Sequence, residues 1–157
     1  MWVLSAVGRA GLVWLAIGAG LTGLGRSRWQ DFGRLALAML LATLVTDYGL
    51  KPAIDRERPF LSTPEVRVIG GRPSGASFPS GHAANAFAGA FVLVRMAPRG
   101  RVFWWLLAVA MAYSRVYLGV HYPLDVIAGG LIGLACAALT LYVTRQRQAA
   151  ARLRPPG

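Results

Sequence analysis

Residues 32–50 read FGRLALAMLLATLVTDYGL, and the run LALAMLLATLV from Leu35 to Val45 contains no charge. The hydrocarbon core of a bilayer, about 30 Å thick, accommodates roughly 20 apolar residues as a helix, and this window is of that length. Working outward, four more windows appear, at about Leu4 to Leu24, Gly81 to Val94, Val102 to Leu118 and Pro123 to Val143. Five windows in 157 residues leave almost no chain for a soluble body. The expected fold is all-α, a polytopic membrane helix bundle of about five transmembrane helices. A single domain over residues 1–144 would be followed by a basic tail, 145–157, whose Ala/Arg/Pro composition predicts disorder.

Charge and composition pull in opposite directions. Hydrophobic residues make up 55% of the chain, yet 17 basic against 6 acidic side chains give a formal charge of +11. The apolar fraction exceeds the roughly 45–50% usual for soluble domains, which argues against a water-soluble nucleic-acid binder; no nucleic-acid partner is expected. Cys136 is the only cysteine, so no disulfide forms within the chain.

The basic residues are sixteen Arg and one Lys, and their placement sets a topology. Arg26, Arg28 and Arg34 follow the first window, Arg95, Arg99 and Arg101 the third, and Arg145, Arg147, Arg152 and Arg154 the fifth. All three clusters fall on one side of a five-span chain. The positive-inside rule makes that side cytoplasmic, with Trp29, Trp104 and Trp105 at the inner boundary. The amino terminus and the connections Lys51 to Ser80 and Gly119 to Tyr122 are then outside, and the carboxy terminus inside.

Both external connections carry polar residues of a particular kind. In KPAIDRERP, Lys51 and Arg58 are seven positions apart and share a face if the segment is helical. Pro52 should kink or restart that helix. In FPSGHA, Ser80 is a natural N-cap, Gly81 lets a ligand approach the backbone, and His82 lies in the first turn, where free amides favour an anion. In SRVYLGVHYPLD, Pro123 suits the first helical position, so Asp125 can reach back four residues to His121. A carboxylate on one imidazole nitrogen fixes the tautomer and leaves the other as nucleophile or base. Arg115 offers a guanidinium suited to two phosphoryl oxygens at once. Gly129 and Gly133 form a small-xxx-small pair that predicts close helix packing.

Taken singly, a Lys or Arg at a span end is an ordinary anchor. Jointly, the only Lys and both His of the chain fall in three short segments that the loop charges, read without them, place on one face.

These segments resemble the signature of the type 2 phosphatidic acid phosphatase superfamily of integral membrane lipid phosphatases. Its elements are Lys, six residues, Arg-Pro (Lys51, Arg58, Pro59), then Pro-Ser-Gly-His (Pro79 to His82), then Ser-Arg, five residues, His, three residues, Asp (Ser114, Arg115, His121, Asp125). The resemblance implies that His121 attacks phosphorus, Asp125 orients it and His82 protonates the leaving oxygen. Lys51, Arg58, Ser80, Gly81 and Arg115 would hold the phosphoryl oxygens, and no metal or other cofactor is required. The remaining external acids, Asp47, Asp55, Glu57 and Glu65, form no recognisable metal cluster. The partners expected are a phospholipid or polyprenyl phosphate substrate and the bilayer itself, in a bacterial plasma membrane with the active site on the outer face.

Many members of that superfamily have six spans, one more than the five counted here, so a second copy could complete the wall of the lipid groove as a homodimer. Undecaprenyl diphosphate, phosphatidylglycerophosphate and phosphatidate all remain open as substrates, with the loop from Phe60 to Phe78 setting headgroup choice. A lipid-phosphate transporter or flippase that binds without cleaving, and a phosphotransferase, are the competing classes.

Overall fold

In the computed structural model, residues 11–63 and 65–152 are described. The chain is helical throughout its ordered elements, with no strand among the described residues. Helices α1 (Leu12–Gly23), α2 (Trp29–Thr43), α5 (Gly81–Met96), α6 (Arg101–Tyr117) and α7 (Pro123–Arg152) fall on the five apolar windows in order. The start of the first window, with Arg9, lies outside the described residues.

Among the described residues, only the stretch Trp29–Ser62 and the helix Pro123–Ala151 are long and apolar enough to cross a membrane by that measure alone. At 1.5 Å per residue, the 16 residues of α5 and 17 of α6 reach about 24–26 Å, short of the roughly 30 Å core. Five helices are present where five spans were expected, but two carry the length signal.

Between α2 and the short helix α3 (Lys51–Ile54) the chain forms a π-helical segment, Leu44–Leu50. Pro52 supplies the reason. Its ring removes an amide donor and crowds the carbonyl four residues back, and a local i→i+5 pattern relieves both. The shared-face expectation for Lys51 and Arg58 fails, because the helix stops at Ile54 and Asp55 takes a left-handed conformation (φ 43°). Arg58 instead stands, in extended conformation, immediately before the four-residue helix α4 (Pro59–Ser62), with no side-chain capping bond. The predicted disorder of the tail is corrected over residues 145–152, where α7 simply continues. The segment RQRQAAAR is rich in good helix formers, and Gln148 ties it down, accepting from Arg34 (2.6 Å) and donating to Gln30 (3.0 Å). Residues 153–157 lie outside the described residues.

Helix α5 is the centre of the bundle, packed against α1, α2, α6 and α7. Its Ala83, Ala84, Ala86, Ala88 and Ala90 are buried, and such small side chains let neighbouring backbones close in. The approach is nearest along α7. A Cβ on Gly129 would stand 2.3 Å from the Ser80 carbonyl oxygen, and one on Gly133 2.1 Å from that of Ala84. Trp14 of α1 fills the space over Gly89, where a Cβ would meet its ring at 2.7 Å.

Gly133→Ala should therefore force α5 and α7 apart and cost about 1–3 kcal/mol, as overpacking does. Its thermal midpoint in detergent should fall clearly below that of Gly20→Ala, a helical site with nothing within 4 Å of the new methyl. Equal midpoints would refute the close-packing role.

Candidate active site

The connection between α4 and α5 folds back onto the α6–α7 corner. Ile69 N–H donates to the Leu118 carbonyl (3.3 Å), Ser80 N–H to that of Asp125 (2.9 Å), and Ser62 and Tyr122 hydroxyls share a hydrogen bond (2.6 Å). The two connections placed on one side by loop charge thus meet at one end of the bundle. Gly119 lets them, since its φ of +71° is left-handed and a Cβ there would press on Val66 and the Arg67 carbonyl.

Under this fold-back lies a cavity of about 530 Å³ lined by Lys51, Arg58, His82, Arg115 and His121, with the loop Ile69–Ser74 as its far wall. A cavity of that size takes a small polar headgroup. Three of the predicted residues are off this wall. Ser80 is fully buried, its hydroxyl accepting from Ala83 N–H at 3.4 Å as the N-cap of α5. Gly81 is also buried, and a Cβ there would lie 2.7 Å from an Asp47 carboxylate oxygen. Asp125 is fully buried, behind His121.

The His121–Asp125 pair has the spacing expected at the start of α7. Nδ1 of His121 is 3.5 Å from Oδ2 of Asp125 and has no shorter partner among the described residues. A contact of this length is an electrostatic neighbour that can tighten into a hydrogen bond when substrate binds. Burial pulls the His121 pKa below its ordinary value; the Asp125 carboxylate opposes this, while the charges of Arg58 and Lys51 reinforce it. The imidazole is therefore neutral at physiological pH, with Nε2 unprotonated if Nδ1–H faces the carboxylate. His82 shares the cavity, and its buried Nε2 has no hydrogen-bond partner among the described residues. A buried, unsatisfied nitrogen on a cavity wall is a group waiting for a ligand atom.

Arg58 works for the loop as well as for the cavity. Only 4% exposed, it donates from Nε to Gly75, from Nη1 to Val120 and from Nη2 to Ser74, all carbonyl oxygens (2.8, 2.9 and 3.2 Å). Its remaining N–H groups are what it has for an anion. Arg115 is 6% exposed and donates from Nε and Nη2 to Ser114 Oγ.

Sequence reasoning missed four participants. Asp47 holds the Lys51 ammonium at 2.5 Å. Arg72 stands on the cavity wall beside Gly70 and Gly71. Ser77 donates its hydroxyl to Asp125 Oδ2 (2.5 Å), and Arg56 donates from Nη1 to Oδ1 (2.9 Å). Local spacing could have revealed only the first, an i,i+4 pair on one helical face.

A sequence model described as the PAP2 superfamily matches residues 32–149. The chain belongs to the PAP2 superfamily. Among its relatives, an undecaprenyl-diphosphatase of Sulfolobus acidocaldarius is 34% identical over 147 residues, covering 91% of this chain and 68% of that protein. A lipid A 4'-phosphatase of Bacteroides thetaiotaomicron is 38% identical over 108 residues, and the chain spans about half of its length (47%). A transmembrane PAP2-type phosphatidylglycerolphosphate phosphatase from Bacillus subtilis superposes with a TM-score of 0.69 at 28% identity, over 92% of this chain and 76% of that one. The PAP2 fold here is thus that of an all-helical membrane protein.

Arg58→Lys tests the loop role. One ammonium cannot serve three diverging carbonyls, and each buried acceptor left unsatisfied costs about 1–3 kcal/mol. The variant should melt lower and be cut faster by trypsin at Arg67 and Arg72; wild-type cleavage rates would contradict this.

Proposed function

We propose that the chain is a metal-independent phosphatase of membrane lipid phosphates or diphosphates that works through a phosphohistidine at His121. The observation that carries this is the cavity itself: two imidazoles, one backed by a buried carboxylate, face a space walled by Lys51, Arg58, Arg72 and Arg115. In the first step Nε2 of His121 bonds to phosphorus as the bond to the lipid oxygen breaks, and His82, carrying a proton once the anionic headgroup is bound beside it, gives that proton to the leaving oxygen. Asp125 stabilises the charge that develops on His121. In the second step water attacks the phosphohistidine, His82 takes its proton, and inorganic phosphate leaves with His121 neutral again. The surrounding cations stabilise the equatorial oxygens through both steps. A non-hydrolytic flippase would not need the His121–Asp125 pair.

Undecaprenyl diphosphate is the substrate we favour, on the similarity over most of this chain to the Sulfolobus undecaprenyl-diphosphatase. The superposition on the Bacillus enzyme favours phosphatidylglycerophosphate as the second candidate. In our reading the chain crosses a plasma membrane five times, with the cavity outside and the carboxy terminus in the cytoplasm. A homodimer would supply the wall that a sixth span provides elsewhere.

Phosphate release from a panel of these lipids in detergent tests the proposal. His121→Ala should reduce release to background, vanadate should inhibit and a chelator should not; an active alanine variant or a chelator-sensitive enzyme would refute it. Because burial lowers the His121 pKa, the nucleophile stays neutral as pH falls. The acid limb of kcat/KM should therefore lie below the ordinary imidazole value of about 6.5.

A further inference from the structure

Arg56 belongs to the first motif but not to its fixed positions, and it does not line the cavity. Its contacts form a closed ring. The Arg56 carbonyl accepts from Ser77 N–H (2.7 Å), the Ser77 hydroxyl donates to Asp125 Oδ2 (2.5 Å), and Arg56 Nη1 donates to Asp125 Oδ1 (2.9 Å). The guanidinium also lies 4.0 Å from the centre of the Tyr122 ring, next in sequence to His121. Tyr122 N–H adds a third donor to the carboxylate, at Oδ2 (2.9 Å).

A carboxylate gripped at both oxygens cannot turn about its Cβ–Cγ bond, and turning would carry Oδ2 away from His121 Nδ1. Charge-assisted bonds such as the one from Arg56 are the stronger kind. The cation–π stack restrains the guanidinium from its other side. With its side chain 37% exposed against 0% for Asp125, Arg56 reaches from solvent to a wholly buried anion.

We propose that Arg56, tied to Ser77, is a positioning residue that fixes the plane of Asp125 and through it the tautomer and orientation of His121. The proposal rests on His121 being the nucleophile. Arg56 acts without touching substrate, since its Nη1 is engaged and the residue stands off the cavity wall. Charge follows the same route. His121 is faced by Asp125, Arg58, Lys51 and His82, and Asp125 in turn by Arg56, Arg58 and His121. Removing Arg56 leaves the Asp125 charge less opposed, which favours the imidazolium.

The full chain in detergent micelles, with a lipid phosphate as substrate, tests this by comparing wild type with Arg56→Gln, Arg56→Lys and Ser77→Ala. Arg56→Gln should lower kcat on the order of 10- to 100-fold with KM little changed, and should move the acid limb of kcat/KM to higher pH. Arg56→Lys, which keeps the charge, should retain part of the activity that Arg56→Gln loses. Ser77→Ala should also lower kcat, and the double variant should lose less than the product of the single losses. A rise in KM at unchanged kcat would make Arg56 a substrate contact instead, and a loss in kcat with no shift of the pH limb would make its role merely structural. Either overturns the proposal.

Nitrogen-15 spectra of labelled histidine read the His121 tautomer and titration without turnover, and Arg56→Lys and Ser77→Ala samples serve if Arg56→Gln does not fold. A tautomer and titration midpoint unmoved in the variants would overturn the clasp even if phosphate is released. Spectra shifted in the variants, alongside a wild type that releases no phosphate, would leave the clasp standing and remove the phosphatase reading alone.

Discussion

One buried carboxylate organises this end of the molecule. Asp125 is fully inaccessible, and a charge in that position is expensive unless every lone pair finds a donor. Its donors come from Arg56 and Ser77 in the α3–α5 connection and from the amide of Tyr122 in the α6–α7 corner, with His121 alongside. Its own carbonyl takes the Ser80 amide at the start of α5. All three motif segments are thereby held by one residue. The loops that carry them are fixed because leaving that anion unsatisfied would cost more than ordering the chain around it.

Helix packing makes the convergence possible. Ser80 can reach Asp125 only if the first turns of α5 and α7 nearly touch, and Gly129 and Gly133 remove the atoms that would keep them apart. The small-residue stripe is therefore tied to the chemistry as well as to the fold: what lets two helices approach also sets the depth at which His82 and His121 share a cavity.

The apolar windows located the five helices, closely for α5, α6 and the start of α7, because burial in lipid or in a bundle imposes the same run of nonpolar side chains. The end of α7 was misjudged from the composition of its tail, where helix propensity and the Gln148 contacts extend the helix to Arg152. The motif spacing drew His82, His121, Lys51, Arg58 and Arg115 to one cavity, but the helical reason given for pairing Lys51 with Arg58 was wrong, since the chain turns at Asp55 between them. Ser80 and Gly81, expected to hold oxygens, cap and pack the first turn of α5 and do not line the cavity. Arg56 and Ser77 were illegible for a different reason. They meet Asp125 across 69 and 48 positions of sequence, and no local periodicity encodes a contact at that range.

A covalent intermediate on His121 is the point on which the chemistry stands or falls. Rapid acid-free quenching of the wild-type chain with a lipid carrying labelled phosphate, followed by peptide mapping, locates it directly. The label should be stable to base, labile to acid and confined to the peptide containing His121. Label on any other residue, or steady turnover with no phosphoenzyme formed, would contradict nucleophilic attack by this imidazole.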